Sequence, residues 1–329
     1  MSNKSKPLLI LHIGYAKTGT TSLQRTFFNK HSDIEFVGNL TPEKEQEWKE
    51  FDGVIQSNSN TNGSAFFDDV VNTESIFFND ILKKYKNIFS EYTKPNKVLV
   101  YSLEDFVTND RNNFDLGLIA NRLYQIFYQR FDVKILITIR EQKSILPSYF
   151  GTLYTGSYYN FLKEMLKTPK QRVLVSLFYY EVSDYYVKLF GRENVHILLF
   201  EEFVADRESY IEKLSNILNV RVDYSLLQNK NRLNTAPKNS DGKYSVSLQV
   251  IASSLREKTF FKYIPMDNLY FKKIALILTK IRVPFMTLNI TNEQRTEINK
   301  LYCQSNKRLM KRFNLDLKRY GYSIDEGDL

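Results

Sequence analysis

The chain has 329 residues, 43% hydrophobic and 25% charged, enough to bury a full core unaided and unlike a disordered or fibrous composition. Against 37 Asp and Glu stand 46 Lys and Arg, and the net charge of +9 favours anionic ligands such as nucleotides, acidic glycans, nucleic acid or a membrane surface. The lone Cys303 excludes a disulfide framework and a Cys-rich zinc site, and three histidines leave little for a His-based centre, so no metal is expected.

The apolar run at residues 7–13 is too short for a signal segment or a membrane span, and the chain is expected to be cytoplasmic. Residues 8–13 have the near-continuous hydrophobicity of a strand buried on both faces of a parallel sheet. The loop that follows leads into a helix expected from Ser22, and a short strand fits 34–37. Residues 39–72 read as a polar surface excursion centred on SNSNTNGS at 57–64. A helix is expected at 74–92, a strand at 97–102 closing on Leu103-Glu104-Asp105, and a helix at 116–131. The clearest strand, at 133–139, ends in Arg140. Helices are expected at 142–153, 158–167 and 180–190, then a strand at 195–200 and a helix at 203–218. A loop fills 225–243, and the Lys-, Phe- and Tyr-rich remainder, 244–322, reads as helical. This alternation argues a doubly wound α/β fold, a parallel sheet of about five strands with right-handed crossovers. One domain is expected over 1–329, with an α/β core over about 1–220 and a loop and helical extension over about 221–329.

The strongest local signal is Ile13-Gly14-Tyr15-Ala16-Lys17-Thr18-Gly19-Thr20-Thr21-Ser22, set between a strand and a helix. Glycines allow a tight turn in which successive N–H groups point inwards, and the helix N-terminus adds partial positive charge. Lys17 supplies a full charge, and the Thr18, Thr20, Thr21 and Ser22 hydroxyls supply further donors. This is an anion cradle. It is not a Walker A loop, because Lys17 precedes Gly19 and no Gly-Lys-Ser/Thr triplet occurs.

HIGYAKTGTTSLQ at 12–24 resembles the 5′-phosphosulfate-binding loop of sulfotransferases that use 3′-phosphoadenosine 5′-phosphosulfate (PAPS). Ile137-Thr138-Ile139-Arg140 and the residues through Tyr149 resemble that family's 3′-phosphate-binding strand, turn and helix. In the family a strand-terminal Arg and a Ser eight residues later hold the 3′-phosphate, which the resemblance places on Arg140 and Ser148. The chemistry agrees, since a guanidinium fork suits a phosphate dianion and a hydroxyl adds a donor. Residues 194–220 and 313–322 resemble the family's later strand, helix and tail more weakly.

The resemblance implies PAPS as sulfuryl donor, cradled by Lys17, Thr18, Gly19, Thr20, Thr21 and Ser22, with Lys17 also catalytic. A carboxylate just past a strand stands at the C-terminal edge of the sheet, where α/β folds bind ligands. In the glycan-type sulfotransferases a Glu after this strand is the general base, a role implied here for Glu104, with Asp105 as a weaker second. The cytosolic small-molecule members use a mid-chain His. None lies between His31 and His196, which favours the carboxylate branch. His12 reads as a core or supporting residue. The implied acceptor is a glycan or glycolipid hydroxyl, with no nucleic-acid partner. Arg232 and Lys238, in the loop 229–240, are candidate nucleotide or acceptor contacts, although the family's Lys-Gly-Arg-type closing motif is missing. The cations and aromatics of 256–285 fit a core-packed helix pair better than a membrane-surface contact. A nucleotide-dependent kinase and a non-catalytic basic glycan- or nucleic-acid-binding protein are the competing functions. The missing Walker A loop weighs against the first, and the intact Lys17, Glu104 and Arg140 against the second.

Overall fold

In the computed structural model, residues 6–37, 65–107, 115–153, 172–227, 244–247, 282–288 and 290–325 are described. Five strands form one parallel sheet: β1 (Leu8–His12), β2 (Ile34–Phe36), β3 (Val98–Ser102), β4 (Asp132–Ile139) and β5 (Val195–Leu199), in the order β2-β3-β1-β4-β5. The central β1 pairs with β3 through Leu9 opposite Leu99 and with β4 through Leu9 opposite Val133. Leu9, Ile10 and Leu11 are fully buried, as a strand covered on both faces must be.

Each face has its own core. On one, Ile10, Val100, Leu136 and Leu198 pack against Phe27 and Phe28 and against Tyr210, Ile211 and Leu214 of the helix Arg207–Leu218. On the other, Phe66 and Phe89 of the helices Ala65–Asn72 and Phe78–Glu91 meet Tyr101 of β3, and Phe127 of the helix Leu116–Phe127 packs on both phenylalanines. Phe66 lies edge-on to Tyr85 at 4.6 Å and to Tyr101 at 5.3 Å, contacts worth ~0.5–1.5 kcal/mol each beyond the area they bury.

The helix Ala65–Asn72 lies within the stretch expected to be polar excursion. Its C-terminal carbonyls are satisfied from a distance: Arg122, buried, donates to Val70 O and Thr73 O at 2.6 Å each and stacks on Phe78. That partner is about 50 residues away and leaves no local trace. The helix expected at 203–218 is two, Phe200–Ala205 and Arg207–Leu218. Asp206 divides them by accepting from Ser209 N as an N-cap.

The expectation of helix throughout 244–322 is corrected. The helix Asn292–Phe313 is there, but β6 (Tyr244–Ser247) and β7 (Arg282–Leu288) pair antiparallel. The register shifts between Ser245 and Val246, opposite the stretch holding Pro284, which has no N–H to give a ladder. The expected helix at 158–167 and the loop 229–240 lie outside the described residues.

The chain packs as two units: Met1–Arg140, Ser176–Leu233 and Arg308–Leu315 in the first, Glu141–Val175, Asn234–Lys307 and Asp316–Leu329 in the second. The second is braced by a buried amide pair. Gln142 Nε2 donates to Asn306 Oδ1 at 2.9 Å, Asn306 Nδ2 returns to Gln142 Oε1 at 3.2 Å, and Tyr302 OH donates to Leu174 O at 2.9 Å. No helix among the described residues is long and apolar enough to cross a membrane.

Candidate active site

The strand order sets the location. From β1 the chain crosses towards β2 and β3, and from β4 it runs the other way to β5, so connections diverge between the C-terminal ends of β1 and β4. Such a switch point is where an open α/β sheet leaves a crevice. Residues 14–19 leave β1 there, and Arg140 leaves β4 there.

The loop begins by prolonging the ladder: Ile13 N donates to Leu136 O and Tyr15 N to Thr138 O, both at 3.0 Å. Gly14 is required by space, since a Cβ there would stand 2.9 Å from Thr138 N and 3.1 Å from His12 Nε2. The chain then reverses through two left-handed residues, Lys17 at φ 67° and Gly19 at φ 81°. Glycine adopts this conformation freely, whereas lysine pays in strain of the kind that collects at ligand-binding turns. The amides of residues 16–19 donate no backbone hydrogen bond among the described residues, which leaves them available to an anion. Thr20–Ser22 opens the helix, which continues as a π-wound turn, Leu23–Phe28.

Two of the four expected hydroxyl donors serve the protein itself. Thr18 Oγ1 donates to Tyr15 O, which braces the turn, and Thr20 Oγ1 donates to Glu104 Oε1. Thr21 and Ser22 are half-buried at the start of the helix. Glu104 opens the short 3-10 turn Glu104–Phe106 after β3, next to β1, so the carboxylate lies at the cradle's edge with one oxygen fixed by Thr20. Asp105 has no described side chain.

Arg140 is buried and stays beside the loop: one guanidinium nitrogen donates to Lys17 O at 3.1 Å, and its plane lies 4.7 Å from the Phe200 ring. Burial lowers the Lys17 pKa from its ordinary value, Glu104 opposes that shift, and the Arg140 charge adds to it. Two cations with one carboxylate in a partly buried corner suit an anion, which would relieve their mutual repulsion. Ser148 lies buried on the helix Gln142–Leu153, in the second unit.

Beneath the cradle is a buried polar network. His12 holds Ser102 Oγ through Nδ1 at 2.7 Å and Thr138 Oγ1 through Nε2 at 3.0 Å, and Gln24 Nε2 donates to Ser102 Oγ at 2.8 Å. It ties the ends of β3, β1 and β4 together. Burial pushes the His12 pKa down to about 3, so the imidazole is neutral at working pH. His12 is thus a brace, as its sequence position suggested.

Phe200 escaped sequence reasoning. It follows β5 directly, packs on Arg140, and would meet a Cβ added at Gly19 at 3.3 Å. An aromatic at the C-terminal end of the strand beside the Arg-bearing one was the available signal. A cavity of about 550 Å³ lies elsewhere, at the start of β5, lined by Arg192, His196, Lys213 and Phe313 and by no predicted site residue.

No family model matches the sequence, and no curated protein does either. Among solved structures, the sulfotransferase from Alicyclobacillus acidocaldarius is 17% identical, with 96% of this chain and 99% of that one covered at a TM-score of 0.53. A sulfotransferase domain from the curacin biosynthetic pathway is 15% identical over 91% of this chain and 98% of its own, at a TM-score of 0.39. A mouse sulfotransferase complexed with PAP is 14% identical over 97% and 87%, at 0.40. The first of these shows the fold: the five-stranded α/β architecture is that of a sulfotransferase, as the two motifs implied.

Proposed function

We propose that the protein transfers a sulfuryl group from PAPS to a hydroxyl of a glycan or glycolipid acceptor. The observation that carries this reading is the pairing, at the switch point of a sulfotransferase-type sheet, of a strained cradle bearing Lys17 with the strand-terminal Arg140. A fold alone hosts many functions, and the charge pattern of this site is what fits the donor. The cradle amides and Lys17 suit the 5′-phosphosulfate, and Arg140 suits the 3′-phosphate. The sequence resemblance also assigns Ser148 to that phosphate.

In the transfer, the bond between sulfur and the bridging oxygen breaks with its electron pair left on the nucleotide phosphate, where Lys17 neutralises the growing charge. The acceptor oxygen bonds to sulfur from the opposite side, and its proton passes to Glu104. Thr20 donates to one oxygen of that carboxylate and so helps to orient it beside the cradle. Positioning and electrostatics supply most of such a rate, as in phosphoryl transfer. A glycan-type acceptor is favoured by the carboxylate base, and a glycolipid would bring the enzyme to the cytoplasmic face of a membrane.

The test is an acceptor screen with radiolabelled PAPS over sugars, glycolipids and small phenols. Label is expected in a sugar hydroxyl. Label in phenols alone would overturn the acceptor class, and no transfer despite tight binding of the 3′-phosphorylated nucleotide would overturn catalysis.

A further inference from the structure

Two tyrosines outside the sequence motifs' obvious chemistry join the cradle to Arg140. Tyr15, in the loop, is fully buried and donates its hydroxyl to Ser176 O. Tyr179, 1% exposed, opens the helix Tyr179–Phe190 and donates its hydroxyl to Arg140 O at 2.6 Å. The two rings meet edge to face, centroids 4.9 Å apart. Each hydroxyl thus satisfies a main-chain carbonyl on the other side of the pair, and the rings pack between.

We infer that Tyr179 is a positioning residue for the nucleotide, resting on the PAPS reading: with Tyr15 it forms a clasp that fixes the spacing between the sulfonate cradle and the Arg140 guanidinium. Arg140 is the last residue before the chain turns from β4 into the next helix, so its carbonyl direction sets where its side chain begins. An unheld carbonyl there would leave the end of the strand free to rotate. Tyr179 removes that freedom through the main chain. The other end of the clasp is braced too, because Tyr15 N is bonded to Thr138 O of the same strand and Tyr15 O receives the Thr18 hydroxyl. Loop and strand end therefore move together. A nucleotide carrying phosphates at both 5′ and 3′ positions needs both sites at a fixed separation, whereas one with a 5′-phosphate alone does not.

The experiment compares affinities for 3′-phosphoadenosine 5′-phosphate and adenosine 5′-phosphate in the wild type, Tyr179→Phe and Tyr186→Phe. Tyr186 serves as control: it lies on the same helix, fully buried, and its hydroxyl makes no hydrogen bond among the described residues. In Tyr179→Phe the preference for the 3′-phosphorylated nucleotide is expected to fall at least about fivefold, with adenosine 5′-phosphate affinity nearly unchanged and the preference intact in Tyr186→Phe. A preference equal to wild type in Tyr179→Phe, or a common loss for both nucleotides, would overturn the positioning role and leave the PAPS reading standing. A wild type without any 3′-phosphate preference would overturn that reading and this proposal with it. Should Tyr179→Phe fail to fold, Tyr15→Phe opens the same clasp from the loop side and is held to the same criterion.

Discussion

Lys17 combines three features that seldom coincide: a left-handed backbone, a place among the amides of residues 16–19 that donate no backbone hydrogen bond among the described residues, and a pKa lowered by burial and by Arg140. Its charge matters most as negative charge grows on the leaving phosphate. Lys17→Ala is expected to lower turnover by ~10²–10³-fold while the melting temperature stays within a few degrees, as assays on one preparation would read. Glu104→Gln keeps the acceptor oxygen for Thr20 but cannot take a proton. Nucleotide affinity should survive and turnover should fall ~10²-fold or more; a rate within a few-fold of wild type would move the base elsewhere. His12 makes a pH prediction. Its folded pKa of about 3 lies below its ordinary 6.5, so the unfolded chain takes the proton first. The stability held by the neutral, bonded ring is full above pH 6.5 and is lost as pH falls towards 3, at up to ~1.4 kcal/mol per unit. Denaturant melts at pH 7, 6, 5 and 4 should show a shallower loss in His12→Gln than in wild type. His196, pushed down to about 4 mainly by burial, contributes in the same direction in both proteins and cancels in the comparison.

Among the elements, the loop between β1 and its helix is the least tolerant. Gly14 faces the backbone of β4, which is paired on both sides and cannot retreat. Gly14→Ala should cost ~1–3 kcal/mol by overpacking and also spread the cradle from Arg140, so both melting temperature and nucleotide affinity should drop. An alanine variant with wild-type values in both would show that the β1–β4 junction is softer than its geometry implies. The elements read correctly were those whose pattern is local: β1, β3, β4 and β5 as apolar runs, and the helices Gln142–Leu153 and Leu116–Phe127 by their spacing. The helix Ala65–Asn72 was missed because its support, Arg122, comes from another part of the chain. The β6–β7 pair was missed because each strand is short and has meaning only beside the other.

At the scale of the whole molecule, net charge and site agree in sign. The surplus of +9 draws polyanions in general, and the site must supply the discrimination. The nucleotide 3′-phosphoadenosine 5′-phosphate is expected to raise the melting temperature far more than ATP or ADP. At a hundredfold excess over its dissociation constant the stabilisation is ~2.7 kcal/mol. Arg140→Ala should remove most of that preference, since a charge-assisted bond is worth ~1.5–3 kcal/mol. Equal shifts with ATP in the wild type would argue for a general anion site.

What the sequence determined by itself was the tight loop after β1, the strand-terminal Arg140 and the α/β alternation, because each is written in neighbouring residues: glycines where space or a reversed φ demands them, a lysine between them, apolar runs ending in charge. The tertiary structure alone decided which of these meet. The order β2-β3-β1-β4-β5 sets β1 between β3 and β4, and so brings Glu104 to Thr20 and Arg140 to Lys17 across separations of 84 and 123 residues. It likewise set the Thr18 hydroxyl on Tyr15 O and the Thr20 hydroxyl on Glu104, and it put Tyr179 on the Arg140 carbonyl. The physical reason is that a hydroxyl or a ring has no direction of its own in a sequence. Its partner is chosen by what the packed sheet brings within about 3 Å.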